Sequence, residues 1–203
     1  MKLYGAPNPA PNPRRVRIFL AEKGLSIPET PIDMRKREHK SPEFREKNPT
    51  GQIPVLELED GRTLSETVAI CRYIEGLHPE PPLFGRDPFE QAEVDMWIRR
   101  VEFVLMTPTG MFWRHAHPYT AHLLTQFKDF GESNREAVKG AMMWFDRQLK
   151  ARAFIVGDAY TMADICALTT VDFAGFIGLP VPETAEALQA WHARVTARPS
   201  AAA

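Results

Sequence analysis

A proline-rich stretch, H-P-E-P-P at residues 78–82, divides the chain into two parts with different residue patterns. Proline fixes φ and lacks a backbone N–H, so closely spaced prolines interrupt helices and sheets and form stiff connections. Before this stretch short β-like segments alternate with helical ones, whereas almost everything after it has helical spacing. We therefore expect a first domain over residues 1–78, a linker over 79–86 and a second domain over 87–203.

The first part has the element order of a small α/β domain. The predicted elements are a strand over residues 1–5, a helix over 13–23, a strand over 26–33, a hairpin over 55–64 and a helix from Ser65. Pro28 and Pro31 restrict the second strand to a sheet edge, and Asp60-Gly61 is typical of a hairpin turn. The order, βαβ and then ββα, predicts a compact α/β unit.

The second part is predicted to be all helical. A helix from Asp87 to about Met106 should place Trp97 and Phe103 in the core, with a break at Pro108 and Gly110. Further helices are expected over residues 120–130, 134–150, 161–176 and 183–198. The last but one should begin with a capping box, because T-M-A-D at 161–164 has its spacing with aspartate in place of glutamate.

The amino-acid composition limits which binding partners and which cellular compartment can be expected. A formal net charge of -1 without long runs of one sign gives no electrostatic support for nucleic-acid binding. No window approaches the roughly 18 apolar residues of a membrane-spanning helix, and no signal peptide follows Met1-Lys2. Cys71 and Cys166 lie in apolar helical patterns and are expected to be buried thiols, as in a reducing cytoplasm.

Four segments carry a family resemblance. They are N-P-T-G-Q-I-P-V-L-E-L-E-D-G (48–61), L-S-E-T-V-A-I-C-R-Y-I (64–74), A-F-I-V-G-D-A-Y-T-M-A-D-I (153–165) and A-R-V-T-A-R-P (193–199). Together with the domain order they resemble the cytosolic glutathione transferases, and the opening is close to the bacterial branches without defining a class. The resemblance implies a thioredoxin-like α/β N-terminal domain, an all-α C-terminal domain, glutathione as co-substrate and a homodimer.

The resemblance also implies how glutathione is held. In the family a cis-proline exposes the backbone of the residue before it, here Ile53 before Pro54, to pair with the cysteine of glutathione. Gln52 would add polar contacts. Glu66 and Thr67 match the helix start that binds the γ-glutamyl end, where free N–H groups favour an anion. From the residues alone, Pro54 in trans and Glu66 as an ordinary first-turn acid are the favoured interpretations, and only the resemblance reverses them.

His39 and Lys40 are candidates for the glycine end of glutathione. E-H-K-S-P-E-F, residues 38–44, resembles the family segment that supplies a cation to this carboxylate. The alternative is a pair of solvated surface cations, and the sequence does not separate the two.

The opening A-P-N-P-A-P-N-P, residues 6–13, departs from the family pattern. Transferases stabilise the glutathione thiolate with a tyrosine, serine or cysteine after the first strand, and the matching residue here is Ala10. Asn12 is the best polar substitute, although it could instead cap the first helix with Pro13 as first helical residue. Backbone N–H groups and Tyr4 are the other donors, and Tyr4 is expected to pack in its strand.

A second substrate is expected near the opening loop and the long helix. The apolar lining would comprise Ala10, Met106, Met111, Phe112, Trp113 and Tyr119. Methionines and aromatics adapt to apolar ligands but are equally typical of a helical core. His115, His117 and His122 have no acidic or cysteine partner nearby, so no metal is expected.

The leading function is therefore conjugation of glutathione to an apolar electrophile. A glutathione-dependent disulfide or peroxide reductase is one alternative, although the opening loop has no cysteine. A non-enzymatic binder of glutathione or apolar ligands is the other, because the expected hydroxyl is missing.

Overall fold

Four short strands form the sheet of the first unit in the computed structural model, which describes residues 1–203. They are β1 (Lys2–Gly5), β2 (Glu29–Pro31), β3 (Val55–Glu57) and β4 (Thr63–Ser65). The order is β2-β1-β3-β4, with β1 parallel to β2 and β3 antiparallel to both β1 and β4. Strand β2 lies at the edge, as its prolines predict. Gly61, at φ 85°, forms the predicted turn between β3 and β4.

Three helices complete this unit and give the thioredoxin-like βαβ–ββα order. They are α1 (Pro11–Glu22), α2 (Pro42–Lys47) and α3 (Thr67–Leu77), with a 3₁₀ turn at Glu38–Lys40. Side chains alternate between the faces of a sheet, so the paired residues Tyr4 and Val55 share one face. Phe44 of α2 packs there, with its ring 6.1 Å from that of Tyr4. The fold class expected from the sequence is confirmed.

The second unit is all helical. Its helices are α4 (Pro88–Arg100), α5 (Thr107–His115), α6 (Lys128–Leu149), α7 (Met162–Phe176) and α8 (Glu186–Thr196), with a 3₁₀ turn at Pro118–Thr120. The separate helices predicted over 120–130 and 134–150 are wrong, because a single α6 begins at Lys128. No helix of the structure combines the length and apolar character needed to span a bilayer.

The break predicted at Pro108 is also wrong. A π-helical segment, Val101–Met106, joins α4 to α5. Proline cannot donate a backbone bond, and a π turn changes the donor–acceptor register just before it. The hydroxyl of Thr107 donates to the Glu102 carbonyl at 2.9 Å, which adds a bond in this region. Trp97 is buried as expected, but Phe103, expected in the core, is 68% exposed.

A buried aspartate organises the start of α7. Thr161 and Asp164 form the predicted capping box. The carboxylate of Asp164 also accepts hydrogen bonds from the Ile155 N–H at 2.9 Å and from the Trp191 indole N–H at 2.9 Å. The pKa of Asp164 is raised from 3.8 to about 6, because the effect of burial outweighs the lowering by these hydrogen-bond donors. One side chain thus joins a loop, α7 and α8.

The structure divides into Met1–Leu83 with Pro199–Ala203, and Phe84–Arg198. The division falls inside the predicted linker, and the last five residues group with the first unit. The finer bounds 1–78, 79–86 and 87–203 remain a prediction.

Candidate active site

The most unusual backbone of the first unit lies where β4 meets α3. Glu66, the N-cap residue of α3, has φ 69° and ψ 117° and makes no side-chain capping bond. Residues with a side chain rarely adopt positive φ, and such strain persists mainly where the surroundings or function require it. The first N–H groups of α3 lack intrahelical acceptors, so this helix end presents donors and a positive dipole end.

A buried arginine lies beneath this helix start. Arg15 of α1 is 1% exposed, and its Nη1 lies 3.5 Å from the hydroxyl oxygen of Thr67, which is 7% exposed. An arginine offers only donors, so the Thr67 oxygen accepts from it and the hydroxyl proton is left to point elsewhere. The guanidinium adds a full charge to the dipole. Arg14, which the sequence places beside it, instead donates from Nη2 to the Ala201 carbonyl at 2.9 Å.

The Ile53–Pro54 peptide bond is cis, as the resemblance implies. It lies just before β3, and the backbone N–H and C=O of Ile53 take part in none of the hydrogen bonds that join loops and turns. The side chain of Ile53 is buried, whereas Gln52 is exposed. The structure therefore places one free backbone donor and one free acceptor at the end of a strand.

Asn48 shapes the loop that leads to this peptide, and the sequence interpretation missed it. Its Nδ2 donates to the Gln52 carbonyl at 2.8 Å, and its Oδ1 accepts from the N–H of Thr50 at 3.2 Å. Asn48 is 3% exposed. The N-P-T-G pattern contained the signal, because asparagine side chains commonly bond to the backbone two residues ahead.

Lys40 and His39 lie against the same loop. Lys40 donates from Nζ to the carbonyls of Gly51 at 2.6 Å and Thr50 at 3.2 Å. A Cβ at Gly51, which has φ 57°, would lie 2.7 Å from the His39 carbonyl oxygen, so this close approach requires glycine. Burial, with the charges of Lys40 and Arg37, lowers the pKa of His39. His39 is therefore a neutral ring at pH 7, and Lys40 is the cation of this pair.

The opening loop differs from the expectation. Helix α1 begins at Pro11 with Ala10 as N-cap, so the alternative role of Asn12 as the cap of this helix is excluded. Asn12 lies in the first turn, and its Oδ1 is buried without a hydrogen-bond partner. The Asn8–Pro9 peptide bond in the same loop is cis. An amide carries both donors and an acceptor, so Asn12 has unused bonding capacity.

The hydroxyl of Tyr4 is already used in a hydrogen bond to a carboxylate of the first unit. Its hydroxyl donates to the Glu57 carboxylate at 2.5 Å, and Lys47 donates to the same oxygen at 3.0 Å. Both contacts lower the pKa of Glu57, with the tyrosine hydroxyl making the larger contribution. Tyr4 is 9% exposed and packs in the core, as the sequence predicts.

The residues proposed for the second substrate do not all share one environment within the helical unit. Phe112 is 4% exposed and contacts the Arg135 guanidinium at 4.7 Å. Trp113 stacks on Tyr119 at 5.4 Å between ring centroids, whereas Met106 and Met111 are half-buried. Trp113 is also 5.4 Å from the Phe173 ring. Trp113 and Tyr119 thus form an aromatic surface, and Phe112 belongs to the core.

The nearby histidines make separate contacts. His115 accepts from the Phe127 N–H at 3.4 Å, and His117 accepts from the Tyr119 N–H at 3.3 Å. The ring of His122 lies 5.7 Å from that of Tyr119. No three histidine, cysteine or carboxylate side chains are grouped as metal ligands would be.

Comparison with known proteins gives matches over both units. A family model described as "Glutathione S-transferase, N-terminal domain" matches residues 10–77, and one described as "Glutathione S-transferase, C-terminal domain" matches residues 111–199. The chain is 40% identical over 204 residues to "Glutathione S-transferase 2" of Saccharomyces cerevisiae, covering 98% of the chain and 87% of the relative.

Solved structures agree with these matches. The crystal structure of Gtt2 from Saccharomyces cerevisiae superposes with a TM-score of 0.93 at 40% identity, over 98% of both chains. A glutathione S-transferase domain-containing protein from Marinobacter aquaeolei gives a TM-score of 0.92 at 38% identity, over 98% of this chain and 99% of the other.

Proposed function

This chain belongs to the glutathione S-transferase family, and from that membership we propose that it adds the thiol of glutathione to an apolar electrophile. The observation that carries the proposal on this chain's own residues is the start of α3. It combines the strained Glu66, uncapped N–H groups and a buried Arg15 behind Thr67. Such a helix start favours an anion.

The γ-glutamyl end of glutathione fits this arrangement. The N–H groups of the first turn of α3 would bind its carboxylate, and the Thr67 hydroxyl would donate to the same group because its oxygen already accepts from Arg15. The exposed carboxylate of Glu66 would pair with the α-amino group. Opposite charges at a partly buried site strengthen both contacts.

The middle and the glycine end are assigned to the Asn48–Pro54 loop. The N–H and C=O of Ile53 would pair with the backbone of the glutathione cysteine, as an added strand does. Asn48 holds that loop, and Gln52 provides an exposed amide beside it. Lys40 would attract the glycine carboxylate, while His39 contributes a neutral ring rather than a charge.

Asn12 is proposed to stabilise the thiolate. A free cysteine thiol has a pKa near 8.5, so a transferase gains by lowering it. The Nδ2 group of the Asn12 amide would donate to the thiolate from the first turn of α1, where the helix dipole also favours negative charge. Ala10 supplies no hydroxyl. The alternatives, a reductase or a simple binder, are less favoured because the relatives are transferases and both cysteines are buried in helices.

Two measurements on the purified protein test this function. Calorimetry should detect glutathione binding, and ultraviolet difference spectroscopy should give a thiol pKa for bound glutathione below that of the free tripeptide. Conjugation to an apolar aromatic electrophile should follow. If glutathione binds while its thiol pKa stays at the free value, the protein is a binder, and if glutathione does not bind, the whole proposal fails.

The apolar electrophile is assigned to the methionine and aromatic surface of the helical unit. Met106, Met111, Trp113 and Tyr119 would contact it. Substituting Trp113 by alanine should raise the KM for the electrophile and leave that for glutathione unchanged. The buried Phe112 is expected to affect stability instead.

A homodimer is proposed on one exposed stripe. Phe89, Met96 and Phe103 recur every seven residues along α4 and the π segment and are 76%, 40% and 68% exposed. Exposed apolar stripes of this kind mark association surfaces. Two copies related by a two-fold axis at Met96 would place Phe89 opposite Phe103 of the partner subunit.

The molecular mass in solution tests whether the protein is a dimer. Wild type should have the mass of two chains by light scattering, and Met96→Glu should have the mass of one, because two like charges would meet at the axis. Phe127→Ser removes an equally exposed phenylalanine away from the stripe and should stay dimeric. A monomeric wild type, or equal dissociation of both variants, would contradict the proposal.

A cytoplasmic location and a role in removing reactive compounds are proposed with it. Cys71 and Cys166 are buried and form no disulfide, which suits a reducing compartment. Recovery of the protein in a membrane or secreted fraction would argue against this location.

A further inference from the structure

One guanidinium binds three parts of the N-terminal unit around the opening loop. Arg17 of α1 donates from Nη1 to the Ala6 carbonyl at 3.1 Å and from Nη2 to the Asn8 side-chain oxygen at 2.7 Å. The same Nη1 lies 3.2 Å from the carboxylate of Glu29 in β2. The side chains of Arg17 and Glu29 are 19% and 26% exposed, so the pair is only partly screened by water.

Gly5 leaves room for this network. A Cβ at position 5 would collide with the Oε1 carboxylate oxygen of Glu29, the atom that meets Arg17. The absence of a side chain therefore allows the Glu29 carboxylate to cross the end of β1 and reach the helix. Gly5 is the last residue of β1, and the loop that Arg17 holds begins immediately after it.

The opening loop has few other means of support. Prolines at positions 7, 9, 11 and 13 remove four backbone donors, and the loop's own bond joins the Ala10 N–H to the Pro7 carbonyl at 3.3 Å. Two bonds from a charged, planar and rigid donor are strong relative to this one. Arg17 is thus the main anchor of residues 6–8.

We propose that Arg17 is a positioning residue for thiolate stabilisation, acting by holding residues 6–8 so that Ala10 and Asn12 keep their place. This rests on the proposed function, because it assigns the loop to the thiol. Arg17 forms its three contacts with the protein itself and is not assigned any contact with glutathione. Its loss should affect the thiol and spare the glutathione affinity that Glu66, Thr67 and Ile53 provide.

Hydrogen exchange in the ligand-free protein tests the anchoring by itself. Amide exchange in the peptide covering residues 6–12 should be about tenfold faster in Arg17→Ala than in wild type, since the loop loses two charge-assisted bonds. Asn8→Ala removes one of them and should give a smaller increase in the same peptide. Arg147→Ala, an exposed arginine on α6, is the matched control and should change nothing there. Unchanged exchange in a folded Arg17→Ala overturns the anchoring.

Kinetics and the bound thiol test the positioning. Arg17→Ala should lower kcat about tenfold and raise the thiol pKa of bound glutathione towards that of free glutathione. The Kd for glutathione should change less than about twofold. Arg17→Lys should recover part of kcat, because an ammonium can keep one or two contacts but not the fork. The proposal would be overturned if glutathione affinity and kcat fell together while the thiol pKa of bound glutathione stayed unchanged. If wild type fails to bind glutathione, the proposed function fails, and the exchange result still decides whether Arg17 anchors the loop.

Discussion

The guanidinium of Arg15 lies 3.5 Å from the hydroxyl oxygen of Thr67, joining the first helix to the start of α3 within the buried interior of one unit. Because the arginine can only donate, the Thr67 oxygen accepts in this contact and the hydroxyl proton is left for another acceptor. The hydroxyl is thereby prepared to donate to an anion at the end of α3, which the isolated helix would not ensure.

The Thr67 hydroxyl should therefore contribute to glutathione affinity. Thr67→Val keeps the shape but removes the donor and leaves Arg15 without this acceptor, so the glutathione Kd should rise about tenfold. Thr67→Ser keeps the hydroxyl and should stay within about twofold of wild type. Calorimetric titration measures both, and an unchanged Kd in the valine variant would exclude Thr67 from the site.

Glu66 should show a conflict between stability and binding. Glycine tolerates positive φ, so Glu66→Gly should raise the free energy of unfolding by about 1 kcal/mol. The same change removes the carboxylate proposed to hold the α-amino group and should weaken glutathione binding. Glu66→Gln keeps the strained backbone and separates the two effects, since it should lose affinity without gaining stability. Urea unfolding and calorimetry provide the measurements, and a glycine variant that binds normally would contradict the role of Glu66.

Asn12 should control the pKa of the bound thiol. Asn12→Ala removes the amide and should lower kcat by about 100-fold, the lower end of the range for loss of one donor to a developing anion. Asn12→Asp places a negative charge there and should raise the thiol pKa further, by like-charge repulsion. A pH profile of kcat/KM measures both. Full activity in the alanine variant would assign thiolate stabilisation to another group.

Ala10→Ser should have two separable effects. Ala10 is the N-cap of α1 with φ -60° and ψ 111° and no capping bond, so a serine hydroxyl there should stabilise the protein by about 1 kcal/mol. The same position is where the family places its hydroxyl, so the thiol pKa of bound glutathione should fall. Thermal unfolding tests the cap, and ultraviolet titration tests the thiol. An unchanged thiol pKa with a raised Tm would show that the hydroxyl caps the helix alone.

Asp164 should make stability depend on pH. Its folded pKa of about 6 lies above its ordinary 3.8, so the folded chain binds the proton more tightly than the unfolded chain. The resulting stabilisation of the folded state amounts to about 3 kcal/mol. It is fully present below about pH 4 and is lost as pH rises through 6.

Asp164→Asn removes this titration and serves as the reference. It keeps one oxygen acceptor but puts an amide N–H where Oδ2 accepts from Thr161, so it should be less stable at every pH. The advantage of wild type over this variant should shrink between about pH 4 and pH 7 in urea unfolding. An advantage that grows over the same range would show that the hydrogen bonds, rather than burial, dominate the carboxyl pKa.

Patterns that act over a few residues were readable from the chain. The capping box at 161–164, the edge strand with its prolines and the turn at Gly61 each depend on neighbours in sequence, and each is present. The residues proposed to bind glutathione were predicted from a motif resemblance, which defines residue types and spacing. Local patterns gave a wrong expectation at the start of α1, where two of them competed. Asn12 has the properties of a cap, but the helix begins at Pro11, two residues before the predicted first helical residue Pro13.

By itself, the sequence determined the family, the fold class and the change from an α/β part to a helical part, because periodicity, caps and prolines act locally. Only the tertiary structure decided which polar groups are already occupied. Tyr4 is taken by Glu57, 53 residues away, and Thr67 is oriented by Arg15, 52 residues away. Contacts across such separations arise when elements pack, since burial forces each polar atom to find whatever partner the fold brings near.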